Sequence, residues 1–210
     1  GATTVGIYAT NAWEQVEYVI NHAECKILFA EDEEQVDKWL RFRSDTPQLE
    51  KVIYWEDKGL TKMNESELMR FDDLMSTGVS SLANNTAAID ELTNRIEEDD
   101  TAILVYTSGT TGNPKGAMLT NKNLLWSANT LYKIDNGNNI RADEEIMSFL
   151  PLCHIFERMF SVYAHLVTGY TINFVESIDT VPQNLREIHP TLGYAVPRIW
   201  EKFYSRIYIQ

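Results

Sequence analysis

Residues 106–119 read YTSGTTGNPKGAML. Four hydroxyl side chains, Thr107, Ser108, Thr110 and Thr111, alternate with Gly109 and Gly112, and Pro114, Lys115 and Gly116 follow. Glycines let backbone N–H groups turn inward toward an anion, hydroxyls add neutral donors, and a lysine supplies a mobile positive charge. An apolar run at 102–106 leads into this stretch, so it reads as a strand that empties into a phosphate-binding loop. A plain connector has no use for this many hydroxyls and glycines beside a lysine. The Walker A loop, G-x-x-x-x-G-K-S/T, is excluded. Pro114 precedes Lys115 and Gly116 follows it, so neither the second glycine nor the metal-binding hydroxyl is in register.

The elements that must position this loop alternate in type. Strands are expected over 4–8, 25–30 and 51–55, then 102–106, 146–150, 170–175 and 191–196, with a short extended piece at 117–119. Helices are expected between them. The first is capped by Asn11, with Glu14 three residues on and Trp13, Val16, Val19 and Ile20 as its apolar stripe. Others cover about 32–41, 120–132, 155–167 and 181–188, and a last one starts at Pro197, where proline suits the first turn. Residues 64–97 are polar, helical over 65–74 and 87–96, with a Ser/Gly/Asn loop between; 135–139 is another loop. Strands separated by helices, with no two-residue hairpin signal, predict an α/β fold with a largely parallel sheet and crossover helices. Ligands in such sheets sit beyond the carboxyl ends of strands, which is where the loop lies. Three regions follow: a first βα region at 1–57, a polar helical connector at 58–100, and the loop with its following βα units at 101–210.

Charge narrows the partners. Asp and Glu outnumber Lys and Arg 31 to 18, for a net −13. That sign argues against nucleic acid and against electrostatic attachment to anionic lipid. No apolar stretch is long enough to be a transmembrane segment, and no basic-then-apolar leader opens the chain, so a cytoplasmic protein is the expectation. Cys25 and Cys153 show no C-x-x-C spacing and read as reduced thiols; the histidines at 22, 154, 165 and 189 have no metal-ligand spacing with them. The chain opens directly on a strand-like segment and closes inside an amphipathic helix, so it is read as a piece of a longer polypeptide.

The loop resembles the phosphate loop of the adenylate-forming enzymes, the group that includes acyl-CoA synthetases, luciferases and peptide-synthetase adenylation domains. Thr107, Ser108, Gly109, Thr110, Thr111, Gly112, Pro114, Lys115 and Gly116 all fit its pattern. Two further segments resemble long-chain acyl-CoA synthetases. Residues 150–160, LPLCHIFERMF, are similar to their Pro-Leu-x-His-x-x-Glu-Arg, and 194–202, YAVPRIWEK, to their Val-Pro-Arg-x-Trp/Phe-Glu-Lys. Residues 1–10 are similar to the Gly-Ala-x-x-Val-Gly-Ile-Tyr-x-Thr stretch upstream of the loop. The likeness covers nearly the whole chain and is weakest over 58–90. One departure is Asn121, where many relatives carry histidine.

The resemblance implies that 1–210 is part of an AMP-binding (adenylation) domain, and that the parent is a fatty acid–CoA ligase using ATP, Mg2+ and coenzyme A. A fatty acid and ATP would give an acyl-adenylate and pyrophosphate, and coenzyme A would then displace AMP. It implies that Ser108, Thr110, Thr111 and the backbone of Gly109 and Gly112 hold the β- and γ-phosphates, with Thr107 and Gly116 in the same loop. Thr110 would be the hydroxyl nearest magnesium, and Lys115 the phosphate-steering charge; a solvated surface lysine is the rival reading of Lys115. His154, Phe156 and Met159 would line the substrate pocket. The plainer readings are a helix-start histidine and, with Phe160, an apolar stripe packed on the sheet. Glu157 and Arg158 pair with partners that the sequence does not identify. Peripheral contact of the parent with a membrane and its oligomeric state are left open.

The family's Tyr-Gly-x-Thr-Glu motif, its ribose-binding aspartate, its hinge and its small C-terminal, lysine-bearing domain have no match in these residues, so the 210-residue piece alone is expected to be inactive. Two other readings stand beside the ligase. One is a non-catalytic module that binds nucleotide phosphates. The other is a phosphotransferase, which needs a base and metal carboxylates near the loop, whereas the acidic run at 97–100 lies at the other end of the strand.

Overall fold

The computed structural model describes residues 1–107, 112–133 and 140–208. It divides into two compact units, 1–122 and 123–210.

The first unit begins with strand β1 (Thr4–Val5), helix α1 (Trp13–His22), strand β2 (Ile27–Ala30), helix α2 (Glu33–Phe42) and strand β3 (Lys51–Tyr54). Three successive residues of β3, Val52, Ile53 and Tyr54, are buried, the mark of a strand covered on both faces. β2 and β3 run parallel, with Ile27 opposite Lys51, and β4 (Leu68–Arg70) adds to β3 in parallel. Val16 and Ile20 of α1 and Val36, Trp39 and Phe42 of α2 pack onto this sheet, spaced three and four apart as a helix face requires. Asp32 caps α2 by accepting from the Gln35 backbone N–H at 3.1 Å.

Helix α1 starts later than the sequence suggests. Its N-cap is Ala12, whose N–H is met by the Gln15 side chain at 3.3 Å. Asn11 instead donates its N–H to the Tyr8 carbonyl in the preceding turn. The middle of the unit also departs from expectation. The stretch expected to be helical over 65–74 contains β4, paired along β3, and helix α3 (Phe71–Asn84) runs through most of the expected Ser/Gly/Asn loop. Ser76, Thr77 and Ser80 donate their hydroxyls to carbonyls four residues back, so the polar residues are accommodated inside the helix. Helix α4 (Ala88–Thr93) follows.

Strand β5 (Thr101–Thr107) pairs in parallel with β1 and antiparallel with β6 (Lys115–Thr120). β5 and β6 are therefore the arms of a hairpin, which no two-residue turn signal marks because the connection is longer. Thr3 and Thr4 fasten the other edge of β5 through their hydroxyls, to Thr101 O at 2.8 Å and Ala102 O at 3.3 Å. Helix α5 (Asn121–Tyr132) leaves β6 directly.

In the second unit β7 (Glu145–Ser148) and β8 (Thr171–Phe174) are parallel. The crossover between them is one helical run: α6 (Ile155–Arg158), a π-helical segment (Met159–Ala164) and α7 (His165–Thr168). Ile140, Ile146, Ala164 and Tyr170 form its core. Helix α8 (Val181–Ile188) and helix α9 (Pro197–Tyr208) complete the unit. The strand expected over 191–196 does not form a ladder. Its start is held to the first residue of β7 instead, with Thr191 and Leu192 N–H groups donating to Glu145 O at 3.0 and 3.2 Å.

The class is thus α/β. Among the described residues the strands form three small sheets, in which four pairings are parallel and the hairpin alone is antiparallel. No described helix is long and apolar enough to cross a membrane.

Candidate functional site

The two stems of the phosphate loop lie side by side. Thr107 faces Lys115 at the last rung of the β5–β6 ladder, and Tyr106 faces Gly116 one rung below. Both Thr107 and Lys115 are exposed, so the hydroxyl and the ammonium group stand at the mouth of the loop. Ser108, Gly109, Thr110 and Thr111 lie outside the described residues. Gly112 has φ +90°, and a Cβ there would meet nothing within 4 Å. Its glycine is thus required by backbone conformation and not by crowding.

Helix α1 supports these stems from one side. The Tyr18 hydroxyl donates to the Pro114 carbonyl at 3.0 Å, and His22 Nδ1 lies 2.7 Å from the Tyr106 hydroxyl. The Tyr106 ring meets Tyr18 edge-on, with centroids 6.4 Å apart, and His22 likewise at 5.6 Å. Burial pushes the Tyr106 phenol above its ordinary pKa, with Tyr18 adding to the shift. The phenol therefore stays protonated at neutral pH and keeps a proton for its bond to His22. Neither Tyr18 nor His22 was singled out from the sequence; aromatic residues three to four apart on one helix were the available signal.

Asn121 takes over where β6 ends. Its side-chain amide donates to Glu97 O at 3.0 Å and its N–H to Asp100 O at 3.1 Å, tying the start of α5 to the acidic turn at 97–100.

His154, Phe156 and Met159 belong to the second unit. His154 is the N-cap of α6: its Nδ1 accepts from the Phe156 N–H at 3.2 Å. That bond requires an unprotonated Nδ1, which leaves Nε2 to carry the proton of the neutral ring. Phe156 lies edge-on to His154 and packs against Phe160 and Tyr194, and Phe160 stacks on Tyr194 with centroids 4.1 Å apart. Met159 is half-buried and opens the π-helical segment.

Glu157 is the least expected side chain here. It is fully buried and binds hydroxyls: Ser161 Oγ at 2.5 Å and Tyr194 Oη at 2.9 Å both donate to Oε1, and the Leu150 N–H donates to Oε2 at 3.2 Å. The sequence does not identify its partners. Tyr194 lies 37 residues along the chain, too far for local spacing to suggest it.

Comparison with known proteins gives a consistent answer. The family model described as AMP-binding enzyme matches residues 1–207. The human long-chain-fatty-acid–CoA ligase ACSBG2 is 33% identical over 211 residues, covering 99% of this chain and 30% of that protein. The ligase ACSBG1 of Rattus norvegicus is 30% identical over 213 residues, again covering 99% of this chain and 29% of its own length. The chain thus spans under a third of these relatives. Among solved structures, the anthranilate CoA ligase AuaEII matches with a TM-score of 0.70 at 18% identity, over 93% of this chain and 35% of that one. The fatty acyl CoA synthetase of Mycobacterium tuberculosis matches with a TM-score of 0.67 at 21% identity, over 95% of this chain and 35% of its own. These two likenesses establish a shared fold.

Proposed function

The chain belongs to the AMP-binding enzyme family, and from that premise we propose that it carries the phosphate loop of a long-chain fatty acid–CoA ligase. The reaction is the activation of a fatty acid by ATP to acyl-adenylate and pyrophosphate, followed by attack of coenzyme A on the acyl carbon and release of AMP. The observation that carries this reading is the hairpin that sets Thr107 opposite Lys115 at the mouth of a Gly/Thr loop. Its weight comes from the relatives, which are long-chain-fatty-acid–CoA ligases aligned over almost every residue of this chain.

Carboxylate attack on the α-phosphate requires the triphosphate's charge to be neutralised and its chain held in line. Thr107, Ser108, Thr110 and Thr111, with the backbone of Gly109, Gly112 and Gly116, supply neutral donors to the β- and γ-phosphates. Lys115 supplies the positive charge. Oxygen donors such as the Thr110 hydroxyl suit Mg2+, a hard cation that binds phosphate and water oxygens and would neutralise phosphate charge. His154, Phe156 and Met159 serve the acyl side, with His154 lining the pocket through its ring while its Nδ1 caps the helix. The reading places the parent in the cytoplasm.

Labelled pyrophosphate exchange into ATP tests this directly. The intact polypeptide that carries this segment is expected to exchange only when a long-chain fatty acid such as palmitate is present. The 210 residues by themselves are expected not to, because they contain no adenine, ribose or C-terminal lysine motif. An intact polypeptide that binds ATP but shows no acid-dependent exchange would leave the non-catalytic phosphate-binding module as the better reading.

A further inference from the structure

Both stems of the phosphate loop are tied to one face of a helix that lies far upstream in the chain. Tyr106, on the entering stem, contacts His22 at a separation of 84 residues, and Pro114, on the leaving stem, contacts Tyr18 at a separation of 96. Tyr18 and His22 are four residues apart on α1, so they occupy the same helix face, with ring centroids 5.4 Å apart. The two contacts therefore fix the two ends of the loop against a single rigid support.

We propose that Tyr18 and His22 are positioning residues for the phosphate loop, setting the geometry with which it meets the nucleotide's phosphates; this rests on the ligase reading above. The two bonds have distinct consequences. The Pro114 carbonyl lies in the peptide plane that leads into Lys115, and Tyr18 holds that carbonyl. His22 holds the hydroxyl of Tyr106, the residue just before Thr107, and the Tyr106 ring in turn covers Gly116, the residue just after Lys115. The brace thus reaches the neighbours of both polar groups at the loop mouth without touching either one. A loop that binds through backbone N–H groups gains from having its ends fixed beforehand, since donors already in place need no reorganisation when the phosphates arrive.

The test uses the intact polypeptide. Tyr18→Phe keeps the ring and removes the bond to Pro114; His22→Phe keeps an aromatic ring and removes Nδ1; His22→Asn restores a polar atom near the Nδ1 position. Tyr18→Phe and His22→Phe are each expected to raise KM for ATP in pyrophosphate exchange by about two- to tenfold, the range for one neutral hydrogen bond. His22→Asn is expected to return toward the parent value. Thioester formation from pre-formed acyl-adenylate and the melting temperature are expected to change little. An unchanged KM for ATP in both ring variants, or an equal fall in the two half-reactions, overturns the proposal. Kd for ATP is measured in parallel by calorimetry. If the intact polypeptide binds ATP without making acyl-adenylate, the ligase reading fails while the Kd ratios still decide the brace. If it does not bind ATP, both fall.

Discussion

A methyl group placed on Gly116 would lie 3.1 Å from Tyr106 Cζ and 3.2 Å from Cε2. The two residues face each other across the hairpin, and the phenol ring lies over the glycine. The ring also meets His22 and Tyr18. A glycine inside a strand marks a close approach of this kind. Because the ring is held by His22 and Tyr18, it has little freedom to yield. Gly116→Ala is therefore expected to destabilise the 210-residue chain by about 1–3 kcal/mol, the usual cost of overpacking. Urea unfolding of Gly116→Ala, Tyr106→Ala and the double variant checks the cause. The double variant should recover at least about 0.5 kcal/mol relative to the sum of the single changes, since the clash needs both groups. Strict additivity would show that the ring moves aside freely.

Lys115 is exposed at the loop mouth, so its replacement should leave the fold intact. In the intact polypeptide, Lys115→Ala is expected to lower adenylation by about ten- to a hundredfold, the value of one charge-assisted contact. Thioester formation begins after pyrophosphate has left and should fall far less. Measuring the two half-reactions separately decides between a phosphate-steering charge and a solvated lysine. An untouched adenylation rate would favour the solvated lysine.

Local signals explain which parts of the fold were legible. The stripe of α1, the Asp32-led start of α2, and Pro197 as the first residue of α9 are written within a few residues and were read correctly. The errors arise where tertiary pairing decides. Residues 68–70 look helical by composition but become β4 because the edge of β3 offers them hydrogen bonds. Thr191 has a strand-like environment in sequence, yet its hydroxyl and N–H are used by the two ends of Glu145. The loop's residue types and spacing are visible in the sequence itself. Its supports are not, because Tyr18 and His22 act from 84 or more positions away. Glu157 shows the same limit: a buried carboxylate is unreadable until the chain folds Ser161 and Tyr194 around it.

Two tyrosines of the second unit should resist alkali. Burial pushes the Tyr170 phenol far above its ordinary range, and the nearby Glu157 carboxylate adds to it. Tyr194 is raised further, first by burial and then by Glu157. The folded-state values lie above the unfolded value of about 10, so the folded chain holds these protons more tightly. Their contribution to stability is complete below about pH 10 and is lost as the pH rises above it. Tyrosinate absorbance is expected to appear in two phases, the exposed phenols first and these two only with unfolding. Above about pH 10, Tyr194→Phe should reduce the fall in stability by up to about 1.4 kcal/mol per pH unit, one proton's worth. A single phase near the ordinary phenol value in a chain that is still folded would contradict this.

Glu157 satisfies three donors at once, and the arrangement predicts how each replacement behaves. Ser161 and Tyr194 have one hydroxyl proton apiece, and both are directed at the same carboxylate oxygen, although the two hydroxyls lie only 2.9 Å apart. At 2.9 Å the two hydroxyls are also within hydrogen-bond distance of each other, and either one can donate. Glu157→Gln can turn its carbonyl toward the Leu150 N–H and its amide nitrogen toward the hydroxyl oxygens, which can rotate to accept. Its cost should be about 1–2 kcal/mol. Glu157→Leu leaves the Leu150 N–H without its acceptor and the two hydroxyls with only each other, and should cost about 3–5 kcal/mol. Much of that loss is the penalty of orphaned partners and not the worth of the carboxylate itself. Adding Ser161→Ala and Tyr194→Phe to Glu157→Leu removes the two hydroxyls that lost the carboxylate, so the triple variant should be more stable than Glu157→Leu alone. Urea unfolding of the four proteins gives the ranking. If Glu157→Leu matched the parent, or if the triple variant fell below it, the carboxylate would not be the acceptor that holds this network together.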